Sequence, residues 1–549
     1  MKLKTRILAA SLAAATAVSM VGCGGAASSS ESTSTAASSA AAASSESTAA
    51  EDVSEVGTYP IVSEPITVKG LVVGRSTNTR NDRIVWNKVS EATGINIEWE
   101  CIDEDALATY LAGSDWPDFI HYNLSSSLVN DYGVVGGRFV NYNDYLDYMP
   151  NLQAAMEKYP LMKKASTQSN GEMYSLPGYE VSATTSSARP YVRTDVLEAA
   201  GLEMPKTTQE FHDALVTLKD KFGVASFIPE FSNDESYWGP MLFAAFGKQT
   251  NLNFDDDGTG KVIFNRTSEQ MKLYLTYMHQ LYAEGLINQE YLTLDGTSRF
   301  DAAKSGQVAF IGSGEGNSLA AEDFPDGEFH LDCMAPLTSE YDDDQTILGK
   351  SGYFGNGGFF LNKDSKYITE LCRMFDIMYA TEEVVPGSGL LGESFTYGIK
   401  GVDWDYDEGD AKTYTLTAPE SYDGAFTTYQ YEEVIWDGAG LADALAGYVT
   451  STPGNSQARQ LGFVNNVIPY QSDIYFPASM LKFTEDEQYV LDNKLTDIQT
   501  YYKEMEGKFI TGVVDIDTGW DTYCQTLDQM GVQDVLDVYQ AAYDRWNQA

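Results

Sequence analysis

Pro65-Ile66-Thr67-Val68-Lys69-Gly70-Leu71-Val72-Val73, Gly94-Ile95-Asn96-Ile97-Glu98-Trp99-Glu100-Cys101-Ile102 and Trp116-Pro117-Asp118-Phe119-Ile120 together decide the fold. The first run is rich in Ile and Val, and the second alternates apolar and polar residues, so both predict strands. Between them Ile84, Val85 and Val89 recur at helical spacing, with Asn81 and Asp82 placed to cap that helix and Gly94 to stop it. A further helix near Glu104–Ala112 leads into Phe119-Ile120. Strand, helix, strand, helix, strand is the pattern of a parallel sheet with flanking helices.

Further along the chain a second run of this kind begins at Tyr191-Val192-Arg193. Thr207 with Glu210 predicts a capping box for a helix that lines up Phe211, Leu215, Leu218 and Phe222. A helix over Thr267–Glu284 is stopped by Gly285, and a second capping box, Thr484 with Glu487, opens a helical C-terminus. The fold class read from this is α/β, in two lobes.

The N-terminal end is of a different kind. Lys2, Lys4 and Arg6 precede an apolar, Ala-rich stretch from Ile7 to about Val21, too short for a comfortable membrane span and suited to a secretory signal. It ends in Met20-Val21-Gly22-Cys23. Small residues before a Cys here resemble the lipobox of bacterial lipoproteins, which implies that Cys23 is lipidated and becomes the new N-terminus. Of the 27 residues from 24 to 50, 23 are Ser, Ala or Thr, a composition that cannot offset the entropy of ordering and reads as a tether. Residues 1–22 are therefore expected to be a signal peptide, 23–57 a flexible tether, and folding to begin near Thr58. No later segment offers eighteen consecutive apolar residues.

The 549 residues carry a formal charge of −45, and loss of residues 1–22 removes three positive charges and takes it to −48. Such a balance repels phosphate backbones and anionic headgroups, so nucleic acid is not an expected partner. Cys101, Cys333, Cys372 and Cys524 show no metal-ligand spacing. Cys101 shares strand parity with Trp99, and Cys372 sits at helical spacing among Ile368, Leu371 and Phe375, so both read as small buried hydrophobes. Asn253, Asp255, Asp257 and Gly258 begin like an EF-hand loop, but position twelve is Phe264. Asp403, Asp405 and Asp407 lack the required Gly. Both read as strand–turn–strand elements. H-E-x-x-H, Walker A and G-x-S-x-G are absent. Gly387-Ser388-Gly389-Leu390-Leu391-Gly392 matches G-x-G-x-x-G in letters only, because it follows a helical stretch instead of a strand. The chain is read as a non-enzyme without a cofactor.

Seven short motifs stand in one order along the chain: Trp86-Asn87-Lys88-Val89 through Gly94-Ile95, Ala112-Gly113-Ser114 with Pro117-Asp118, Asn170-Gly171-Glu172-Met173-Tyr174-Ser175-Leu176-Pro177, Tyr191-Val192-Arg193-Thr194-Asp195-Val196-Leu197, Met204-Pro205-Lys206-Thr207, Lys508-Phe509-Ile510-Thr511-Gly512 and Ala542-Tyr543-Asp544-Arg545-Trp546. In this order they resemble the extracellular solute-binding lipoproteins of ABC importers, in the large branch that serves oligosaccharide uptake (solute-binding protein family 1). The resemblance implies two α/β lobes with a ligand cleft between them. Residues 58–185 plus about 349–395 would form lobe 1, and 186–348 plus about 396–549 lobe 2. Relatives carry a calcium loop just before an Ile-Pro, whereas Asp220 to Pro229 lacks its acidic ligands, so no metal is expected.

The resemblance further implies that the cleft is lined by loops that follow particular strands: Arg75, Asn78 and Arg80; His121, Tyr122 and Asn123; Tyr179 and Glu180; Tyr237 and Trp238; Glu315 and Asn317. Trp404 and Trp436 join them because their neighbours are acidic residues or Gly. A sugar presents apolar C–H faces and many hydroxyls, so aromatic platforms beside carboxylates, amides and Arg suit it. Trp238 and Trp404 are the expected platforms, while Trp86 and Trp99 are assigned to packing. The function implied is a lipid-anchored binding protein on the extracytoplasmic face of the cell membrane. It would capture a carbohydrate, expected to be an oligosaccharide, by lobe closure and deliver it to a permease. Capture of a peptide or another polar solute, and a surface glycoside hydrolase using a carboxylate pair, are the alternatives.

Overall fold

The computed structural model describes residues 53–74, 83–180, 189–229, 238–347, 358–409, 412–417, 440–443, 445, 448–471 and 476–548. Helix and strand account for 48% and 15% of it, so the chain is a mixed α/β protein. Nine strands position the functional region: β1 (Ile66–Val73), β2 (Ile95–Ile102), β3 (Phe119–His121), β4 (Gly178–Glu180), β5 (Tyr191–Arg193), β6 (Phe310–Ile311), β7 (Leu331–Cys333), β8 (Phe359–Leu361) and β9 (Gly440–Ala442).

The first sheet has the order β8-β3-β1-β2. β1 runs parallel to β2, with Ile66 opposite Ile95 and Val73 opposite Ile102, and parallel to β3, with Gly70 opposite Phe119. The β-α-β-α-β reading is therefore correct, and β8, more than 200 residues on, adds an antiparallel edge with Phe359 opposite His121. Both faces are covered. Val68, Val72, Trp99, Phe119 and Phe359 pack under the helix Ile84–Thr93, whereas Leu71, Ile120 and Phe360 pack against Leu111, Trp116 and Phe139. Gly70 is required here because a Cβ would lie 2.5 Å from the Phe119 ring. Trp86 and Trp99 meet edge to face at 5.4 Å in this core, as their parity predicts. One detail differs from expectation. The first helix starts at Ile84 behind Arg83, whose side chain makes no capping bond, and Asn81 and Asp82 lie outside the described residues.

The second sheet has the order β6-β5-β7 and is antiparallel at both junctions, where the sequence pattern suggested a repeat of the parallel grammar. Its strands are two or three residues long and come from positions 191, 310 and 331, so local alternation cannot reveal their direction. The helix Thr208–Phe222 buries Phe211, Leu215 and Leu218 against this region. Thr207 Oγ1 accepts the Glu210 N–H at 3.0 Å, but Glu210 accepts from Lys206 N in return, so only half of that capping box forms. The Thr484–Glu487 box is complete and opens the helix Glu485–Ile510. That helix packs with Ile516–Met530 and Val532–Gln548 into the same core.

The Arg373 guanidinium ties down the first described residues by donating to the carbonyls of Ser54, Glu55 and Thr58. Cys333 and Cys372 are buried thiols, and Cys524 is half-buried. Phe254–Asp256 and Val262–Phe264 pair as a hairpin, as do Trp404–Tyr406 and Thr413–Leu416, matching the strand–turn–strand reading of both acidic segments. No described helix is long and apolar enough to cross a membrane.

Candidate functional site

In the first sheet the carboxyl ends of β1 and β3 lie beside the start of β8. The Tyr122 N–H donates to Gly358 O at 2.8 Å. Gly358 has φ 71°, and a Cβ there would meet the Tyr122 carbonyl at 2.9 Å, so only glycine brings the two segments this close. His121 is committed to the core: its ring lies on Phe359 at 4.2 Å and 20°. Tyr122 is half-buried and Asn123 exposed at the same sheet end. Burial, and then the Glu104 carboxylate, push the Tyr122 phenol above its usual range, which keeps it neutral and able both to donate and to accept.

In the second sheet β6 ends at Ile311 and Gly312, and the helix Ser313–Ser318 follows. Glu315 points inward, where it accepts from Arg299 Nε at 2.8 Å and is used up by that ion pair. Asn317 is exposed on the same turn. The turn is fastened from outside by Asn455, whose amide donates to Gly316 O and Leu319 O. Arg193 is fully buried. It donates to Asp195, Ala303 O and Asp323 O, so its charge does not face a ligand.

The two chosen platforms require correction. Trp238 is 1% exposed, with Phe211 stacked at 6.1 Å and the edges of Phe227 and Phe310 against it. Its indole N–H donates to Ile311 O at 2.9 Å. Trp404 is also 1% exposed, against Tyr397 and Tyr406, and donates to Gly398 O. Once a backbone carbonyl satisfies the indole N–H, a Trp stabilises most by burying its whole surface. The polar neighbours of Trp404 gave no sign of this, because its cover (Tyr397, Tyr414, Ala442 and Leu445) comes largely from remote segments.

The ladder of β4 with β9 brings together aromatic faces of which the sequence reading named only Tyr179. β4 pairs in parallel with β9, Tyr179 opposite Leu441. The half-buried Tyr179 ring meets Tyr159 at 4.1 Å. Asp443, one residue beyond β9, accepts from both Tyr159 Oη and Lys158 Nζ. Burial first, then Asp443, pushes the Tyr159 phenol up to about 12. Tyr406 and Tyr448 meet at 5.0 Å, half-buried, with Lys400 Nζ 4.9 Å from the Tyr406 ring. The signal available for Tyr406 was its strand parity with Trp404. Half-covered phenol rings offer an apolar face with a hydroxyl at its rim.

Of the expected site residues, Tyr122 and Asn123 sit at one sheet end, Asn317 at the other, and Tyr179 on β4. No hydrogen bond among the described residues joins the first pair to Asn317. Arg75, Asn78, Arg80, Tyr237, Trp436 and Cys23 lie outside the described residues, as does the Glu180 side chain. Among the described residues no group of three or more His, Cys, Asp or Glu could hold a metal ion. Asp255, in the EF-hand-like stretch, instead accepts the N–H groups of Thr250, Asn251 and Asp256.

Residues 479–548 match a family model described as a domain of unknown function (DUF3502). Over 513 residues the chain is 24% identical to the fructooligosaccharide ABC transporter substrate-binding protein FusA of Streptococcus pneumoniae, covering 89% of this chain and 92% of that protein. It is 29% identical over 190 residues to lipoprotein LipO of Bacillus subtilis, covering 32% and 35% of the two chains. Among solved structures, an HMO-binding, ABC-transporter-associated solute-binding protein from Bifidobacterium longum infantis superposes with a TM-score of 0.68 at 19% identity, covering 88% of this chain and 99% of that one. The chain is thus homologous to FusA along most of its length, and its fold is that of the two-domain solute-binding proteins among its structural neighbours.

Proposed function

We propose that this protein captures an oligosaccharide outside the cell and delivers it to the membrane subunits of an ABC importer. The observation that carries this reading is the similarity to FusA over 89% of the chain, together with a fold that matches a solute-binding protein over 88% of it. The chemistry fits: Tyr179, Tyr406 and Tyr448 offer partly covered aromatic faces, and Tyr122, Asn123 and Asn317 offer polar groups at two sheet ends. In this reading the segment pairs 58–185 with about 349–395, and 186–348 with about 396–549, close on the sugar. Ligand favours the closed state through contacts that only both lobes together supply. Cys23 is its lipid anchor, a role supported by the similarity to a lipoprotein. Fatty-acid labelling of wild type but not of Cys23→Ala is the expected result.

The deciding experiment is a thermal-shift screen over an oligosaccharide and peptide panel. A true ligand at 100 times Kd adds roughly 2.7 kcal/mol of stability. Stabilisation by an oligosaccharide supports the reading. Stabilisation by peptides alone replaces it, and new reducing ends after incubation would make the protein a hydrolase. Tyr179→Ala and Tyr406→Ala should each weaken sugar binding by on the order of 1–2 kcal/mol in calorimetry. Unchanged affinity in both would remove these residues from the site.

A further inference from the structure

The chain carries more than two acidic residues for each basic one, yet one surface groove has no carboxylate among the described residues that line it. It is open to solvent and holds about 260 Å³ between residues 164–171 and the end of the helix Val532–Gln548. Lys164, Lys482 and Arg545 stand on its walls with the Ser169 hydroxyl, and Ala542 and Trp546 give it an apolar side. None of the residues proposed above for the sugar lines it.

The three cations are not equally free. Arg545 turns both terminal nitrogens to the Glu487 carboxylate, so its planar fork is occupied. Lys164 Nζ donates to Trp546 O at 3.1 Å, in the last turn of that helix, which leaves it two further N–H bonds. Lys482 is the exception. No described acceptor meets its ammonium, and burial alone draws it down to about 8. Asp131, Glu485 and Asp492 line a neighbouring groove that Lys482 also borders, but none of them bonds to it. Lys482 also lies two residues before Thr484, the cap of the 26-residue helix Glu485–Ile510, and so stands at the positive end of that helix. An ammonium drawn out of water without a partner, beside a positive helix end, costs free energy on both counts. An anion in the groove would offset both.

We propose that this groove binds a small phosphate ester, with the Lys482 ammonium and the Ser169 hydroxyl on the phosphate oxygens and the organic part against Trp546 and Ala542. A planar carboxylate is best held by an Arg fork, and Arg545 already uses its fork on Glu487. What remains are separate point donors, which suit the outward-pointing oxygens of a tetrahedral anion. The groove is larger than a bare phosphate, so the apolar wall has room for a carbon group. The net charge repels a membrane or a nucleic acid, whose many phosphates meet the whole protein surface. A single small ester instead feels chiefly the groups within a Debye length, about 8 Å at physiological salt.

The test is calorimetric titration of the full mature chain with glycerol phosphate, with glycerol and acetate as controls. Saturable binding of the ester with a Kd of about 1 mM or tighter, and of neither control, is the expected result. Lys482→Met should weaken it tenfold or more. Lys503→Met removes an exposed lysine from the helix that Lys482 precedes, and so makes the same change in net charge. It should leave Kd within twofold. Without ligand, Lys482→Met should melt at or above wild type, because it removes an unpaired, desolvated charge, so its loss of binding is not a loss of folding. No binding by wild type, or equal weakening by the two lysine variants, would overturn the site. Acetate binding as tightly as the ester would overturn the phosphate assignment. Cosedimentation with phosphatidylglycerol vesicles, abolished by Lys482→Met, would overturn the free ester as the source and pass the same phosphate chemistry to a lipid headgroup. The site does not depend on the capture reading: a chain that binds an oligosaccharide but no phosphate ester refutes the groove alone.

Discussion

The two sheets of this protein both pack against aromatic rings but differ in how far apart their strands lie in the chain and in where they bury charge. The first is assembled mostly from neighbouring segments, β1, β2 and β3 within 56 residues, and its centre is aromatic: Phe119 is fully buried among Trp99, Phe359 and Phe375. The second gathers three short strands from 143 residues of chain. At its end it places a charge, the fully buried Arg193, paired with Asp195, bonded to two carbonyls and resting 4.5 Å over Phe324. Where strands are long enough to carry alternating side chains, burial alone fixes register. Where they are two or three residues long, a directional, multiply bonded cation can fix what burial leaves open.

The largest expected effect breaks the second arrangement. Arg193→Met should destabilise the protein by about 3–5 kcal/mol, because it strands Asp195 and the Ala303 and Asp323 carbonyls in the interior. Urea denaturation measures this, and a loss below about 1 kcal/mol would show that the cation does not hold the sheet. Phe119→Ala should cost about 3–4 kcal/mol through the cavity it leaves opposite Gly70. The double variant sharpens the contrast: if the two cores are independent, the losses add to within about 0.5 kcal/mol.

The smallest effect concerns the first region's own buried charge. Asp376 accepts from Leu152 N and from both nitrogens of Asn151, yet burial pushes its carboxyl up to about 6. A carboxyl raised from 3.8 binds more protons folded than unfolded between those values. Its contribution is therefore full in acid and lost as pH rises through about 6. Relative to Asp376→Asn, wild type should lose on the order of 2 kcal/mol between pH 4 and pH 7.5. Parallel pH profiles of the two proteins would contradict this.

Much of the first sheet was legible because its signals are local: alternation in Ile95–Ile102, the helical spacing of Val85 and Val89, Gly94 in the left-handed region at φ 78°. The complete Thr484–Glu487 box was legible for the same reason, since its partners are three residues apart. Legibility faded with the distance between partners. Glu210 turned to Lys206 N instead of completing its box, and the direction of β5 against β6 and β7 had no local sign. The site suffered most. Trp238 and Trp404 have the right chemistry for a sugar face, but whether a ring is a face or a core residue depends on what folds over it. Tyr406 and Tyr448, proposed above as aromatic faces, are half-buried because of how remote chain folds around them.

By itself, then, the sequence determined the α/β class, the parallel run from Ile66 to His121 and the helix boundaries set by caps and glycines. These depend on side-chain periods and backbone dihedrals within a few residues. Only the tertiary structure decided the antiparallel second sheet, the burial of Trp238, Trp404 and Arg193, and the Tyr179–Tyr159 contact beside the β4–β9 ladder. Each of these is a property of two surfaces meeting, and the free energy that selects it lies in the area and the hydrogen bonds they share. Neither segment carries that information alone.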